Sequence, residues 1–241
     1  MIDSSPLDLT SNAVGGWLHA PSSVTAEVVG SVGFDFVVID QQHGLVGDDA
    51  LVPMLQALGA TGTPGVVRAT VNEHAAIGRV LDRGAAGVIV PLVDSAEEAA
   101  RAAAACRYPP AGTRSWGKSR VAWHPAAPDP LCIVMVETMA AVDGLPSILD
   151  VDGVDAIFVG PTDLALSAGV PITARDDDPA FIERLGSIAQ RCAAAGRPVG
   201  IYCATAEQVH RSRELGFTFA AGFTETALLR AAAADIRAAT V

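Results

Sequence analysis

The chain has 241 residues, half of them hydrophobic and 18% charged, far more apolar than chains that stay disordered. Sixteen basic residues against 27 acidic ones give a net charge of −11, a field that repels nucleic acid and anionic membrane. No apolar stretch approaches the roughly 20 residues that a membrane span requires. The opening Met1-Ile2-Asp3-Ser4-Ser5 lacks the basic flank and apolar run of a signal peptide. Four cysteines (Cys106, Cys132, Cys192, Cys203) show no C-x-x-C spacing and read as buried thiols of a reducing, cytoplasmic protein. Lys118 is the only lysine and lies in a loop-like stretch, which argues against Schiff-base catalysis.

Short β-branched runs alternate with longer, Ala-rich helical patterns along the chain. Strands are expected at 13–17, 34–40, 64–68, 87–90, 132–137, 154–159, 198–202 and 217–221. Helices are expected near 22–32, 48–59, 73–83, 95–106, 140–149, 178–195, 205–215 and 223–238, with Ser95 and Thr205 as start signals. Continuous apolar strands, each followed by a helix, imply a parallel sheet buried on both faces. Eight such pairs predict one α/β domain over 1–241, a (β/α)8 TIM barrel. The alternative, a doubly wound open sheet, lacks a G-x-G-x-x-G after its first strand. The longest irregular stretch, 107–130, holds Pro109, Pro110, Pro125, Pro128 and Pro130, and its length suggests a functional loop.

In such a barrel the carboxyl ends of the strands carry the chemistry. The second strand ends in Asp40, with Gln42 and His43 just beyond, and the third ends in Arg68. The fifth ends in Glu137, the sixth runs into Gly160-Pro161-Thr162-Asp163, and the seventh ends in Tyr202. Each residue also has a plain structural reading: His43 as a cap, Arg68 as an ion-pair partner, Asp163 as a helix-start acid. Glu137 is harder to dismiss, because a carboxylate closing Ile133-Val134-Met135-Val136 is costly unless paired or bound to a cation. Glu137 and Asp163 together offer hard oxygen ligands of the kind that hold Mg²⁺ or Mn²⁺. His19, His74, His124 and His210 show no zinc-ligand spacing, and no G-x-S-x-G supports a serine nucleophile. Helix-start amides beside the carboxylates, together with Arg68, suit a small anion such as a 2-oxo acid.

These motifs resemble the metal-dependent class II pyruvate aldolases of the HpcH/HpaI aldolase/citrate lyase family. The likeness runs over nearly the whole chain, through Gly33–Asp40 with His43, Val67-Arg68, Leu81-Asp82-Arg83-Gly84-Ala85, Arg107–Arg114, Val136-Glu137-Thr138 and Phe158–Leu164. It implies a carbon–carbon lyase for 4-hydroxy-2-oxo acids, working through a metal-bound pyruvate enolate and an aldehyde. Glu137 and Asp163 would ligate Mg²⁺, Mn²⁺ or Co²⁺, with no nucleotide cofactor. Arg68 would neutralise the enolate oxygen, and the Thr162 and Asp163 amides, following Gly160, would take the carboxylate. His43, oriented by Asp82, would move the proton of the aldol hydroxyl. Trp17 and Tyr202 would line the aldehyde pocket, and Asp40 would stand behind the reacting groups. The resemblance also implies a homo-oligomer, trimer or hexamer, whose last helix is exchanged between subunits.

Three positions depart from the family pattern. Gln42 stands where a glutamate is common, Met135 where a glutamine is common two residues before the metal glutamate, and Tyr202 where an aliphatic residue is common. Two other enzyme readings, an oxaloacetate-type decarboxylase and a CoA-ester lyase, belong to the same superfamily. The latter needs a basic nucleotide-phosphate surface, which one lysine and an acidic chain disfavour. A non-catalytic barrel that binds an oxo acid is the reading from another class, and a base at His43 argues against it.

Overall fold

The eight β-branched runs form eight parallel strands that close into one barrel in the computed structural model, which describes residues 7–123 and 128–240. The strands are β1 (Ala13–Leu18), β2 (Phe36–Asp40), β3 (Gly65–Arg68), β4 (Gly87–Val90), β5 (Leu131–Val136), β6 (Ala156–Val159), β7 (Val199–Cys203) and β8 (Phe219–Thr224). They pair in chain order, and β8 returns to β1. The crossovers carry α1 (Ser23–Gly30), α2 (Asp48–Thr61), α3 (His74–Asp82), α4 (Ala96–Cys106), α5 (Met139–Leu149), α6 (Pro161–Ser167), α7 (Pro179–Ala194) and α8 (Ala206–Glu214), and α9 (Glu225–Ala239) follows β8. The expected TIM barrel is the observed fold. Met1–Ser5, His124 and Pro125 lie outside the described residues.

Strands buried on both faces separate two apolar layers. Inward-facing Trp17, Phe36, Val38, Val66, Ile89, Ile133, Met135, Phe158 and Phe219 fill the barrel, with Leu9 packed among them. Outward-facing residues such as Val37, Ile39, Val67, Val134 and Ile157 pack against the helices. Ser95 and Thr205 do start their helices, their hydroxyls accepting from the amides of Glu98 (3.3 Å) and Gln208 (3.2 Å). Burial pushes the Cys192 thiol up to about 12 and the Cys203 thiol up to about 11, so neither supplies a thiolate at neutral pH.

Three features differ from the sequence expectation. The β6–β7 crossover holds two helices, because Pro161 starts the short α6 before the longer α7. The 107–130 stretch contains a 3-10 turn at Arg120–Trp123. β8 runs three residues further than expected, to Thr224, and pairs there with Trp17 across a register shift. Phe223 sits at that irregularity with φ +58° and stacks on Phe34.

Phe158 is fully buried against Trp17 and Phe219 at the barrel's centre. Phe158→Ala should therefore cost about 3–5 kcal/mol, a loss measurable as a lower urea midpoint. An unchanged midpoint would show that the interior collapses around the cavity.

Candidate active site

Barrel register decides the first contact at the mouth. β2 and β3 end level, which sets Asp40 opposite Arg68. The fork of Arg68 closes on the carboxylate, with Nε 2.9 Å from Oδ1 and Nη2 2.5 Å from Oδ2. The Trp17 indole N–H donates to Oδ2 at 3.2 Å, and His19 Nε2 lies 3.1 Å from the same oxygen. The amides of Gln42 (2.9 Å) and His43 (3.2 Å) donate to Oδ1. Asp40 is 0% exposed. Burial opposes its ionisation, but the hydrogen bonds from His19 and Arg68, the Arg68 charge and the Trp17 indole outweigh it. The carboxyl is held well below the usual range.

Glu137 follows β5 and is only 2% exposed. Its Oε1 accepts from the Leu92 amide at 2.8 Å. Leu92 holds that amide in place with φ +53°, a conformation rare for leucine and one that clusters at functional sites. The other oxygen faces Gly160, where an added Cβ would stand 2.7 Å from Oε2 and 2.7 Å from Met135 Cε. Burial raises the Glu137 pKa, and the charges of Asp163 and Asp94 push it further the same way. A cation between Glu137 and Asp163 would relieve both effects. Among the described residues no group of three or more His, Cys, Asp or Glu side chains converges to hold a metal. The donor set is thus two hard carboxylates, which suits a cation that keeps water or takes ligand oxygens.

Gly160 caps α6, Pro161 opens it, and the Thr162 and Asp163 amides belong to its first turn, where helical partners are missing. Arg175, only 8% exposed, donates to Thr162 Oγ1 and lies 3.4 Å from Asp176 Oδ1. Tyr202 is half-buried, meets Trp17 edge-on at 5.4 Å, and has a pKa raised by burial. Gln42 is half-buried, and its Oε1 has no partner among the described residues.

Asp40, Gln42, Arg68, Glu137, Gly160, Thr162, Asp163 and Tyr202 therefore all stand at the carboxyl end of the barrel. Two expectations need correction within one chain. Trp17 does not line an open aldehyde pocket: it is 1% exposed, stacked on Phe158 below and covered by the Arg68 guanidinium 5.1 Å from its ring. Asp82 does not orient His43: on the last turn of α3 it pairs with Arg114 at 2.8 Å, in a cleft that runs from α2 to the 114–123 loop. His43 is exposed, held by its backbone amide alone among the described residues. The imidazole that meets a carboxylate is His19. Its position one residue past β1, at the functional end, was the available signal, whereas Arg175 in the loop after α6 gave none.

A closed parallel barrel with carboxylates, an arginine fork and free helix-start amides at its carboxyl end defines an enzyme of the (β/α)8 class. Residues 14–232 match the HpcH/HpaI aldolase/citrate lyase family, and the chain belongs to it. It is 34% identical over 231 residues to the hydroxypyruvate/pyruvate aldolase of Rhizorhabdus wittichii, covering 93% of this chain and 92% of that protein. It is 37% identical over 226 residues to the 4-hydroxy-2-oxo-heptane-1,7-dioate aldolase of Salmonella arizonae, covering 90% and 85% of the two chains. Among solved structures, an HpcH/HpaI aldolase/citrate lyase family protein from Burkholderia cenocepacia superposes with a TM-score of 0.86 at 27% identity, over 96% of each chain.

Gly160→Ala should displace the Glu137 side chain, whose Oε2 and Cβ would stand 2.7 and 2.9 Å from the added Cβ, and weaken divalent-cation affinity about tenfold or more, roughly 1.4 kcal/mol. Calorimetric titration with Mn²⁺ checks it, and wild-type affinity would refute the crowding argument. Arg68→Lys keeps the charge but loses the fork. It should cut turnover about tenfold or more, because a lysine cannot hold Asp40 and still present a fixed donor.

Proposed function

We propose that the chain cleaves and forms 4-hydroxy-2-oxo acids, with pyruvate as the 2-oxo half and an aldehyde as the other. The observation that carries this reading is Glu137: a buried carboxylate with one oxygen anchored on Leu92 and the other turned to Gly160, raised in pKa by burial and by neighbouring Asp163. Glu137 and Asp163 would hold a divalent cation, Mg²⁺, Mn²⁺ or Co²⁺, which when bound supplies Lewis acidity at the 2-oxo oxygen.

The chain's own residues do the rest. Asp40 occupies Nε and Nη2 of Arg68, leaving Nη1 to donate where negative charge develops on the 2-oxo oxygen. Because Asp40 locks the guanidinium beforehand, little reorganisation is needed as that charge grows. The Thr162 and Asp163 amides take the substrate carboxylate. His43, exposed at the mouth, serves the proton of the aldol hydroxyl, and Tyr202 borders the aldehyde half. Gln42 donates its backbone amide to Asp40, and its side chain adds no negative charge beside that carboxylate.

A homo-oligomer, trimer or hexamer, is part of the proposal. α9 is exposed from Thr226 to Ala239, including Leu228, Leu229 and Ile236, as an exchanged helix would be in an isolated chain. Glu225 alone is buried there, and its carboxylate accepts from the amides of His19 and Ala20. Any role for Asp82 beside His43 then falls to a contact between copies. Among the described residues no helix is long and apolar enough to cross a membrane, and we place the enzyme in the cytoplasm.

With Mg²⁺ or Mn²⁺, the protein should exchange pyruvate methyl protons for deuterium, and EDTA should stop the exchange. Glu137→Ala and Asp163→Ala should each abolish it while keeping the fold. Proton NMR and circular dichroism read both effects, and full exchange in both variants would refute the assignment. Light scattering should give three or six chains per particle, and a monomer at micromolar concentration would remove the oligomer from the account.

A further inference from the structure

We propose that His19, oriented by Asp40, is the base that removes and returns the proton at the methyl carbon of the bound 2-oxo acid. This rests on the aldolase reading above and adds a catalytic residue to the same site. Nε2 of His19 lies 3.1 Å from Oδ2 of Asp40, a carboxylate that is fully buried and gripped by Arg68. An ionised carboxylate only accepts hydrogen bonds, so the nitrogen facing it carries the hydrogen. Nδ1 is left with its lone pair, and among the described residues nothing hydrogen-bonds to it. The side chain is 31% exposed, at the same end of the barrel as Arg68 and Glu137. This is the arrangement of base and orienting carboxylate that acid–base sites use.

Two further observations separate His19 from a histidine that merely fills space. Its backbone is clamped from both sides: the amide donates to both oxygens of Glu225 (2.9 and 3.0 Å), and the carbonyl accepts from the Leu45 amide at 2.8 Å. Asp40, for its part, already receives two bonds from Arg68 and one each from Trp17, Gln42 and His43. Those five donors exceed the four or so lone-pair sites of a carboxylate, so Asp40 does not need an imidazole for its own satisfaction. Among the described residues, the charged groups that meet His19 are Asp40 from β2 at its imidazole and Glu225 from α9 at its backbone, with Arg68 from β3 paired to Asp40.

In the step itself the C3–H bond breaks and its electron pair forms the C2–C3 double bond. The carbonyl π pair moves onto the 2-oxo oxygen, where Arg68 faces it. The proton passes to Nδ1 of His19, and Asp40 offsets the charge of the resulting imidazolium. Return of a proton, or of a deuteron from D₂O, to C3 regenerates the 2-oxo acid.

The test uses the full chain with Mn²⁺ and pyruvate in D₂O. His19→Gln keeps an amide donor toward Asp40 but has no base, and it should exchange about 100-fold or more slowly, the usual contribution of a positioned base. Its pyruvate affinity by calorimetry should stay at the wild-type value. His19→Ala should regain exchange when free imidazole is added, and surface His210→Gln should exchange like wild type. In the ligand-free protein ¹⁵N NMR should find the His19 proton on Nε2. Wild-type exchange in His19→Gln, loss of pyruvate affinity in step with exchange, or a proton on Nδ1 in place of Nε2 each overturns the proposal. Absence of exchange in the wild type itself overturns the aldolase reading instead.

Discussion

The buried ion pair of Asp40 and Arg68 is the contact on which the mouth of this barrel depends. Strand register puts the two residues level, and the arginine fork then spans both carboxylate oxygens. Removing either partner would leave the other as an uncompensated charge in an apolar interior, a loss of several kcal/mol in comparable buried pairs, roughly 3–5. Because Asp40 also gathers Trp17, His19 and the amides of Gln42 and His43, one carboxylate ties together β1, β2, β3 and two loops. A guanidinium fixed in this way can meet developing charge without moving.

Across the mouth the logic reverses. Glu137 and Asp163 are like charges, one of them buried, with no arginine fork closing on either among the described residues. Only the Leu92 amide and the more distant Arg68 charge favour an ionised Glu137, against burial and two neighbouring carboxylates. The site therefore contains one satisfied carboxylate and one pair that gains from a cation. On the proposed reading, an acidic protein would bind an anionic substrate without a basic surface: Arg68, the first amides of α6 and a cation would act locally against a net charge of −11.

Much of this was legible in the residues. Eight apolar runs too hydrophobic for a one-sided sheet, each with a helix behind it, leave little choice but a parallel barrel, and that topology brings distant strand ends together. Glu137 stood out because a carboxylate closing an unbroken apolar run demands a partner. Only the family resemblance puts Asp82 beside His43; in one chain the path of the 107–123 segment brings Arg114 to it instead. Trp17 has the right address but the wrong depth, since its side chain faces inward and Arg68 covers it. The partner of His19 is decided by the turn after β1, which Glu225 holds from the far end of the chain. Such long-range clamps carry no local periodicity.

If Glu137, Asp163 and Arg68 form one site, a divalent cation and a 2-oxo acid bind there together. Thermodynamic linkage then requires each ligand to tighten the other by the same factor. Electron paramagnetic resonance of Mn²⁺, titrated with the full chain in the absence and presence of pyruvate, measures this directly. One Mn²⁺ site per chain is expected, with an affinity that rises about tenfold or more with saturating pyruvate, a coupling within the usual range of roughly 1–3 kcal/mol. Mn²⁺ affinity that is indifferent to pyruvate would contradict it.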